Sequence, residues 1–453
     1  MSSDSAAGEP RGWKFVLRAL RYRNYRLFFF GQGVSLIGTW MQRLAMSYLI
    51  YYLTGSYWLM GVVAFLSMIP TSIFTPFAGV LLDRWNLHRV IVITQALAML
   101  QAFLLAGLAL TQTVTPGEIL VLSVFLGLVN AFDMPARQAF VVQMVEGRED
   151  LSNAIALNST LFNGAQLVGP AVAAAVAGAF AALGEINAAG MCFLLNGVSF
   201  VAVIIALLAM RLRPREVPTQ RREVLAELVE GFRYSFGFPP IRSLLLLIAT
   251  TSVFGMSYAV LMPGIARQVY HGGMPTQGWL LSATGVGALC GALYLASRRK
   301  VPGLERLIAG GAALFGLALI GFSAVNVLGL GMGLLAVAGM GRMLQTASCN
   351  TVIQTLAEED KRGRVMAFYA WSFAGTAPLG SLLAGGVAHV WGAPLTVWCS
   401  GVSMLIAAGL FFAGLPRFRR LAHPVYIERG LIPPSEIGDL LGQAEMVPPP
   451  QEA

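Results

Sequence analysis

The chain has 453 residues, of which 56% are hydrophobic and 12% charged, with a net charge of +9, against roughly 25% charged residues in an ordinary soluble domain. A water-soluble core could not take in so much apolar surface, which excludes a soluble enzyme or binding domain and points to a chain folded in lipid. The bases are dispersed over many short segments without interleaved aromatics, so the positive charge is not a nucleic-acid surface.

The basic N-terminal arm, 1–26, carries Arg11, Lys14, Arg18, Arg21, Arg23 and Arg26. The apolar run that follows from Leu27 is too long for a signal-peptide core and offers no convincing cleavage site, so the arm reads as a cytoplasmic lead into a membrane span. Apolar stretches then lie at 27–53, 57–82, 89–111, 118–142, 153–180, 188–210, 241–265, 276–297, 303–325, 327–353, 364–390 and 394–415. Each reaches the roughly 20 residues needed to cross about 30 Å of hydrocarbon. Twelve is an even number, which places both termini on one side. Of the 31 lysines and arginines, 27 fall on a single face, and the positive-inside bias makes that face cytoplasmic; Arg267 alone falls on the other. Cys192, Cys290, Cys349 and Cys399 all lie inside spans, where packing is the expected role rather than disulfide pairing.

The break at 211–240 separates an N-terminal half, 27–210, from a C-terminal half, 241–415. Within it, Val224 to Phe232 has an amphipathic pattern, read as a short surface helix in a cytoplasmic linker. The halves look like repeats. An offset of 211 places Val141-Val142-Gln143-Met144 on Val352-Ile353-Gln354-Thr355, and Gly164 and Gly169 on Gly375 and Gly380. The tail, 416–453, begins basic and then turns proline-rich at Pro433-Pro434 and Pro448-Pro449-Pro450, a composition expected to be largely disordered.

Between the second and third spans the chain reads Gly79-Val80-Leu81-Leu82-Asp83-Arg84-Trp85-Asn86-Leu87-His88-Arg89. An acid and two arginines there cannot sit in hydrocarbon, so they mark a tight turn at the membrane surface. The turn resembles the signature that major facilitator transporters carry between helices 2 and 3; Gly79, Asp83, Arg84 and Arg89 fit it, while Asn86 stands where a second glycine is usual. The fifth span contains Gly164-x-x-x-x-Gly169-Pro170, similar to the helix 5 signature of drug:proton antiporters in that superfamily, with Ala173 and Ala174 in place of the usual paired glycines. Asn130-Ala131-Phe132-Asp133-Met134-Pro135-Ala136-Arg137-Gln138-Ala139-Phe140 and Arg362-Gly363-Arg364-Val365-Met366-Ala367 look like the branch of enterobactin-type siderophore exporters and macrolide efflux proteins. The resemblance runs from about Tyr22 to Leu415.

The resemblance implies an all-α membrane protein of the major facilitator fold: twelve transmembrane helices in two six-helix halves, both termini cytoplasmic, with a midplane binding site reached alternately from the two sides. It implies that spans 1, 4, 7 and 10 line the cavity. It also implies that Asp83 meets the N-terminal end of the eleventh span, whose partial positive charge favours a carboxylate and where Arg364 adds a cation. The gating set is therefore Gly79, Asp83, Arg84, Arg89 and Arg364; the alternative is a solvated turn that only fixes topology. The turn after the eighth span, Ser297-Arg298-Arg299-Lys300, keeps the bases but has no equivalent acid. Gly164, Gly169 and Pro170 would let the fifth span pack tightly, possible against a helix of the other half, although small residues are ordinary in membrane helices.

A charge inside the hydrocarbon costs on the order of 2.5–3.5 kcal/mol unless it faces a cavity or a partner. One acid lies deep in a span, Asp133 in the fourth, and three bases share that depth: Arg43 in the first, Arg137 in the fourth and Arg342 in the tenth. Asp133 and Arg137 are four apart, the spacing at which helix side chains meet. They form either a structural ion pair or a proton-coupled site, in which a conformational change parts them and the carboxyl takes a proton. Arg43 and Arg342 have no acid on their own helices, so the excess positive charge favours an anionic substrate; snorkelling or structural locking is the competing reading. Trp40, Gln42, Asn130, Phe254, Tyr258, Gln345 and Asn350 complete the candidate lining, an apolar face with scattered polar anchors suited to amphipathic ligands.

There is no phosphate loop for an ATP-driven pump, no G-x-S-x-G or H-E-x-x-H of a hydrolase, and no metal spacing among His88, His271, His389 and His423. An enzyme is therefore not expected, nor a cofactor or a metal. The expected function is export of an amphipathic, anionic small molecule, siderophore-like or a drug, across the bacterial inner membrane in exchange for protons, by a monomer. The alternative is a lysophospholipid flippase or an uncoupled facilitator on the same fold.

Overall fold

The computed structural model describes residues 17–82, 84–145, 147–211, 224–298 and 301–431. Among them there is helix and turn but no strand, as lipid demands of a chain that must satisfy every backbone amide within its own segment. After a short 3-10 turn at Arg18–Arg21 come α1 (Arg23–Thr54), α2 (Tyr57–Leu82), α3 (Leu87–Leu110), α4 (Pro116–Met144), α5 (Arg148–Ala179) and α6 (Glu185–Leu208). The linker contributes α7 (Val224–Gly237). The next span is broken into α8 (Pro239–Thr250), a π turn at Thr251–Gly255 and α9 (Ser257–Gln268). Then follow α10 (Met274–Ser297), α11 (Leu304–Ser323) and α12 (Leu328–Leu356). A second broken span comprises α13 (Arg362–Ala370), a π turn at Trp371–Gly375 and α14 (Ala377–Trp391), and α15 (Ala393–Ala413) and α16 (Leu415–Glu428) close the described chain.

Eleven of these segments, counting each broken span once, are long and apolar enough to cross a membrane. The 32-residue α1 is not among them, since Gln32, Gln42, Arg43 and several glycines and hydroxyls dilute its hydropathy. Helix ends follow local chemistry. Gly55 closes α1 in the left-handed region at φ 63°, where glycine has no Cβ to clash. Thr115 and Glu118 form a reciprocal capping box at the start of α4. Asn86 caps α3 by accepting from the Arg89 amide at 3.1 Å, so the residue that departs from the expected glycine starts a helix.

The chain forms two compact units, and they are not the two halves of the sequence. The first comprises Met1–Gln220 with Ala259–Ser282 and Ser381–Ala393; the second comprises Arg221–Tyr258, Ala283–Gly380 and Pro394–Ala453. Within the first unit, close backbone approach carries the later segments against the N-terminal helices. A Cβ on Gly61 of α2 would sit 2.7 Å from the Ser381 carbonyl and 2.9 Å from Cα of Gly385 in α14, and one on Gly278 of α10 would lie 2.6 Å from the Pro170 carbonyl of α5. Gly264 of α9 lies directly beneath the Tyr57 ring, whose hydroxyl donates to Gln268 Oε1 at 2.8 Å.

Both units are finished by segments outside the long helices. Ahead of α1, Asp150 of α5 takes Arg18 (3.2 Å), Arg21 and the Tyr22 hydroxyl (2.8 Å), which docks the basic arm on the start of α5. In the second unit the tail helix α16 turns Leu415, Phe418, Ala422 and Tyr426, all buried, onto Ile241, Leu244 and Ile248 of α8 and Val352, Ile353 and Leu356 of α12. Arg419 fastens it to buried Glu305 at 2.9 Å. The proline-rich remainder of the tail, 432–453, lies outside the described residues.

Candidate functional site

The charged centre of the first unit is built on α4. Asp133 is 3% exposed and its Oδ2 lies 2.6 Å from Nε of Arg137, one turn on. Two residues of α3 complete the shell: the Thr94 hydroxyl donates to Asp133 Oδ1 at 2.8 Å and Gln95 Nε2 donates to the same oxygen at 2.7 Å. A buried carboxylate is tolerated only with this kind of full coordination. Sequence reasoning missed Thr94 and Gln95. Their signal was present as two adjacent polar residues, Thr94-Gln95, inside an apolar stretch of α3.

Arg43 of α1 is exposed along its side chain and places its guanidinium 4.9 Å from the centre of the Trp40 ring. Trp40 in turn meets Phe162 of α5 edge to face at 5.8 Å. Among the described residues Arg43 has no acidic partner. Arg342 of α12 likewise makes no ion pair there, and its Nε is buried without a hydrogen-bond partner. Among the described residues, each unit therefore holds a mid-helix arginine without an acidic partner.

Several expected lining residues are engaged in packing. Gln42 is 3% exposed; its Nε2 donates to Gln101 Oε1 at 2.8 Å and its Oε1 accepts from Asn196 Nδ2 at 2.8 Å. It ties α1 to α3 and α6 instead of facing a ligand, because an amide buried between helices must meet both its donor and its acceptor needs. Tyr258 is 3% exposed and packs edge to face on Phe315 of α11 at 6.2 Å. Gln345 is fully buried and donates to the Thr251 hydroxyl at 2.6 Å, bracing the π turn of the seventh span. Asn350 is half-buried and accepts from Gln354 at 2.6 Å. Asn130 and Trp40 are half-buried, and Phe254, within that π turn, is exposed.

The glycine signature divides. Gly169 sits against Trp40, Ile37 and Met41 of α1 with no room for a Cβ, whereas Gly164 has open space around it. The expected tight packing against the other half is made one residue later, by the Pro170 carbonyl and Ala174 against Gly278. At the repeat position, Gly380 of α14 meets Val253 of the seventh span, its Cβ position 2.5 Å from that carbonyl.

Of the gating residues, Asp83 lies outside the described residues. Gly79 belongs to α2, and Arg84 and Arg89 are exposed. Arg364 is held by Glu230 of the linker helix at 2.7 Å. Beside that pair, Phe368 of α13 meets Phe232 and Phe236 of α7 edge to face at 6.0 and 6.4 Å, so the linker helix is docked on α13. The cation expected for Asp83 already has a carboxylate.

The family model described as transmembrane secretion effector matches residues 16–423. The staphyloferrin A transporter of Staphylococcus aureus is 23% identical, the match covering 85% of this chain and 95% of that protein. The multidrug efflux pump Tap of Mycolicibacterium fortuitum is 28% identical over 86% of this chain and 93% of its own length. Among solved structures, a bacterial homologue of the human lysosomal transporter Spinster, inward-facing and unoccupied, superposes with a TM-score of 0.64 at 15% identity, covering 91% of this chain and 99% of that one. A POT-family transporter in complex with a thioalcohol-conjugated peptide reaches 0.69 at 10% identity, over 87% and 96%. At those identities the likeness is one of fold.

Proposed function

The chain belongs to the transmembrane secretion effector family of major facilitator transporters, membrane transporters and not enzymes, and on that premise we propose that it exports an amphipathic, anionic small molecule across the bacterial inner membrane in exchange for protons. The observation that carries the reading is the pair of unmatched arginines, Arg43 and Arg342, each at mid-helix and neither with an acid among the described residues. A cation left in that position is stabilised when a ligand supplies the counter-charge. The relatives support the class: one is named for a siderophore and another for multiple drugs.

In this reading α1 completes a set of twelve spans, both termini are cytoplasmic, and the protein works as a monomer by alternating access. Arg43 in the first unit, with Trp40 and Phe162 offering apolar surface beside it, and Arg342 in the second are each a candidate anchor for an anionic group. Asp133 carries the proton, since it is the acid buried at mid-span; Asp150 and Glu305, the other buried acids among the described residues, sit in the first turns of α5 and α11. The test is a binding screen of the purified protein against siderophores, macrolides and lysophospholipids. Preference for anionic siderophores, lost in Arg43→Gln and Arg342→Gln, supports the reading; equal binding of neutral ligands by all three proteins rejects it.

A further inference from the structure

The Asp133 site is arranged for two charge states. Ionised, its carboxylate accepts from Thr94 and Gln95 and forms an ion pair with Arg137. That leaves two loose ends in the shell. Gln95 Oε1 is buried and has no hydrogen-bond partner among the described residues. The Thr94 hydroxyl, which has a single proton to give, lies within reach of two acceptors: Asp133 Oδ1 at 2.8 Å and the Ile91 carbonyl of its own helix at 3.0 Å. An orphan acceptor beside a buried acid is costly while the acid is ionised. It becomes useful once the acid carries a proton.

We propose that Thr94 and Gln95 form a cradle that satisfies Asp133 in both its ionised and its protonated form, making them the positioning residues of the coupling acid. The inference rests on the reading of Asp133 as the proton carrier. Protonation at Oδ1 turns that oxygen from acceptor to donor. Rotation of the Gln95 amide by half a turn exchanges Nε2 for Oε1 and presents the waiting acceptor, while the Thr94 hydroxyl swings its proton to the Ile91 carbonyl and offers a lone pair. One O–H bond forms and one proton enters from water; that proton lies between two acceptors, and the amide atom without a partner becomes Gln95 Nε2 in place of Oε1. Arg137, no longer facing a full negative charge, is released on the side where it is partly exposed. The other ionisable groups on the facing helix lie in its first turn: His88, with Nε2 at 2.9 Å from the Leu207 carbonyl, and Arg89, which is exposed. The swap is local, so the carboxyl changes charge without a rearrangement of α3 against α4.

The experiment is pH-difference infrared spectroscopy of the full-length protein in liposomes, with the proton as the only ligand. The carboxylic C=O band missing in Asp133→Asn is that of Asp133. In the wild type it should lie at the low frequency of a hydrogen-bonded acid. Gln95→Leu, which removes the acceptor, and Thr94→Val, which keeps the shape without the hydroxyl, should each move it to higher frequency, and Thr94→Ser should restore the wild-type position. A band at the free-acid frequency that neither Gln95→Leu nor Thr94→Val displaces would overturn the cradle. Absence of any titrating band lost in Asp133→Asn would instead overturn the assignment of Asp133 as proton carrier. Should Gln95→Leu fail to fold, the Thr94 pair of variants still decides.

Discussion

Helices α4 and α12 stand at equivalent places in the sequence repeat and have solved opposite problems. At the offset of 211, Asp133 and Arg137 of α4 correspond to Leu344 and Ser348 of α12, and Arg342 of α12 corresponds to Ala131 of α4. In α4 the charges come as a pair, coordinated by two residues of α3. In α12 the arginine stands alone, with a buried Nε and no acid among the described residues, while the neighbouring Gln345 is used to brace a π turn. The contrast is one of internal against external completion: α4 supplies its own counter-charge and can afford to change it by a proton, whereas α12 leaves a charge for something else to match. Under the proposed function, this divergence separates energy coupling from ligand recognition.

Several substitutions break the comparison, beginning with the largest effect. Asp133→Leu strands Arg137 in a site that is mostly dry, at a cost of about 3 kcal/mol or more, since removing one partner of a buried pair leaves an uncompensated charge. The expected outcome is a markedly lower thermal midpoint in detergent, with partial recovery in Asp133→Leu/Arg137→Met. Arg342→Leu, which has no acidic partner to strand among the described residues, should leave the midpoint within the range of an ordinary surface change. A drop for Arg342→Leu as large as for Asp133→Leu would show that α12 holds a structural pair after all.

The glycines come next. Gly169→Ala forces a Cβ into the backbone and side chains of α1 and should destabilise by about 1–3 kcal/mol, the usual penalty of overpacking. Gly164→Ala, in open space, should be neutral or slightly stabilising through the better helix propensity of alanine. Thermal unfolding of the two variants side by side checks the ordering.

Recognition should respond at a smaller scale. Arg342→Gln is expected to weaken an anionic ligand by about tenfold, close to 1.4 kcal/mol, while a neutral analogue of the same size loses little; titration calorimetry with both ligands reads the difference. The smallest effect concerns the tail helix. Burial holds His423 below its ordinary value near 6.5, with Glu305 opposing and Arg419 assisting that shift. A histidine whose folded state disfavours the proton contributes stability that is present above its unfolded value and is lost as the pH falls below it. Docking of α16 should therefore loosen below about pH 6.5, and hydrogen exchange at Phe418 to Tyr426 measured at pH 7.5 and 5.5 should show faster exchange at the lower pH; His423→Asn should flatten the dependence.

What the sequence disclosed was what depends on hydropathy and on rare residues. Long apolar runs set the helices, with boundaries within a few residues of the observed ones for α2 and α10, and the Asp133-Arg137 pairing followed from spacing four on a helix. The contacts of polar lining residues were not legible, because helical phase decides whether an amide turns to a neighbour or to open space. Gln42 and Gln345 read as lining, yet each meets a hydrogen-bond partner on another helix. The docking of α7 on α13 through Arg364 and Glu230 was hidden for a different reason: an amphipathic linker shows that it has an apolar face, not which helix that face covers. The two π turns, at Thr251–Gly255 and Trp371–Gly375, left no signal beyond a glycine at the end of each.

The most direct test of the account is gradient-driven uptake of a siderophore or macrolide into inverted vesicles carrying Asp133→Asn, measured beside counterflow exchange of the same compound with no gradient. The asparagine holds the shape of the protonated acid and cannot cycle. The account predicts that uptake driven by the proton gradient is abolished while counterflow exchange persists. Gradient-driven uptake at the wild-type rate, at equal expression, would contradict it.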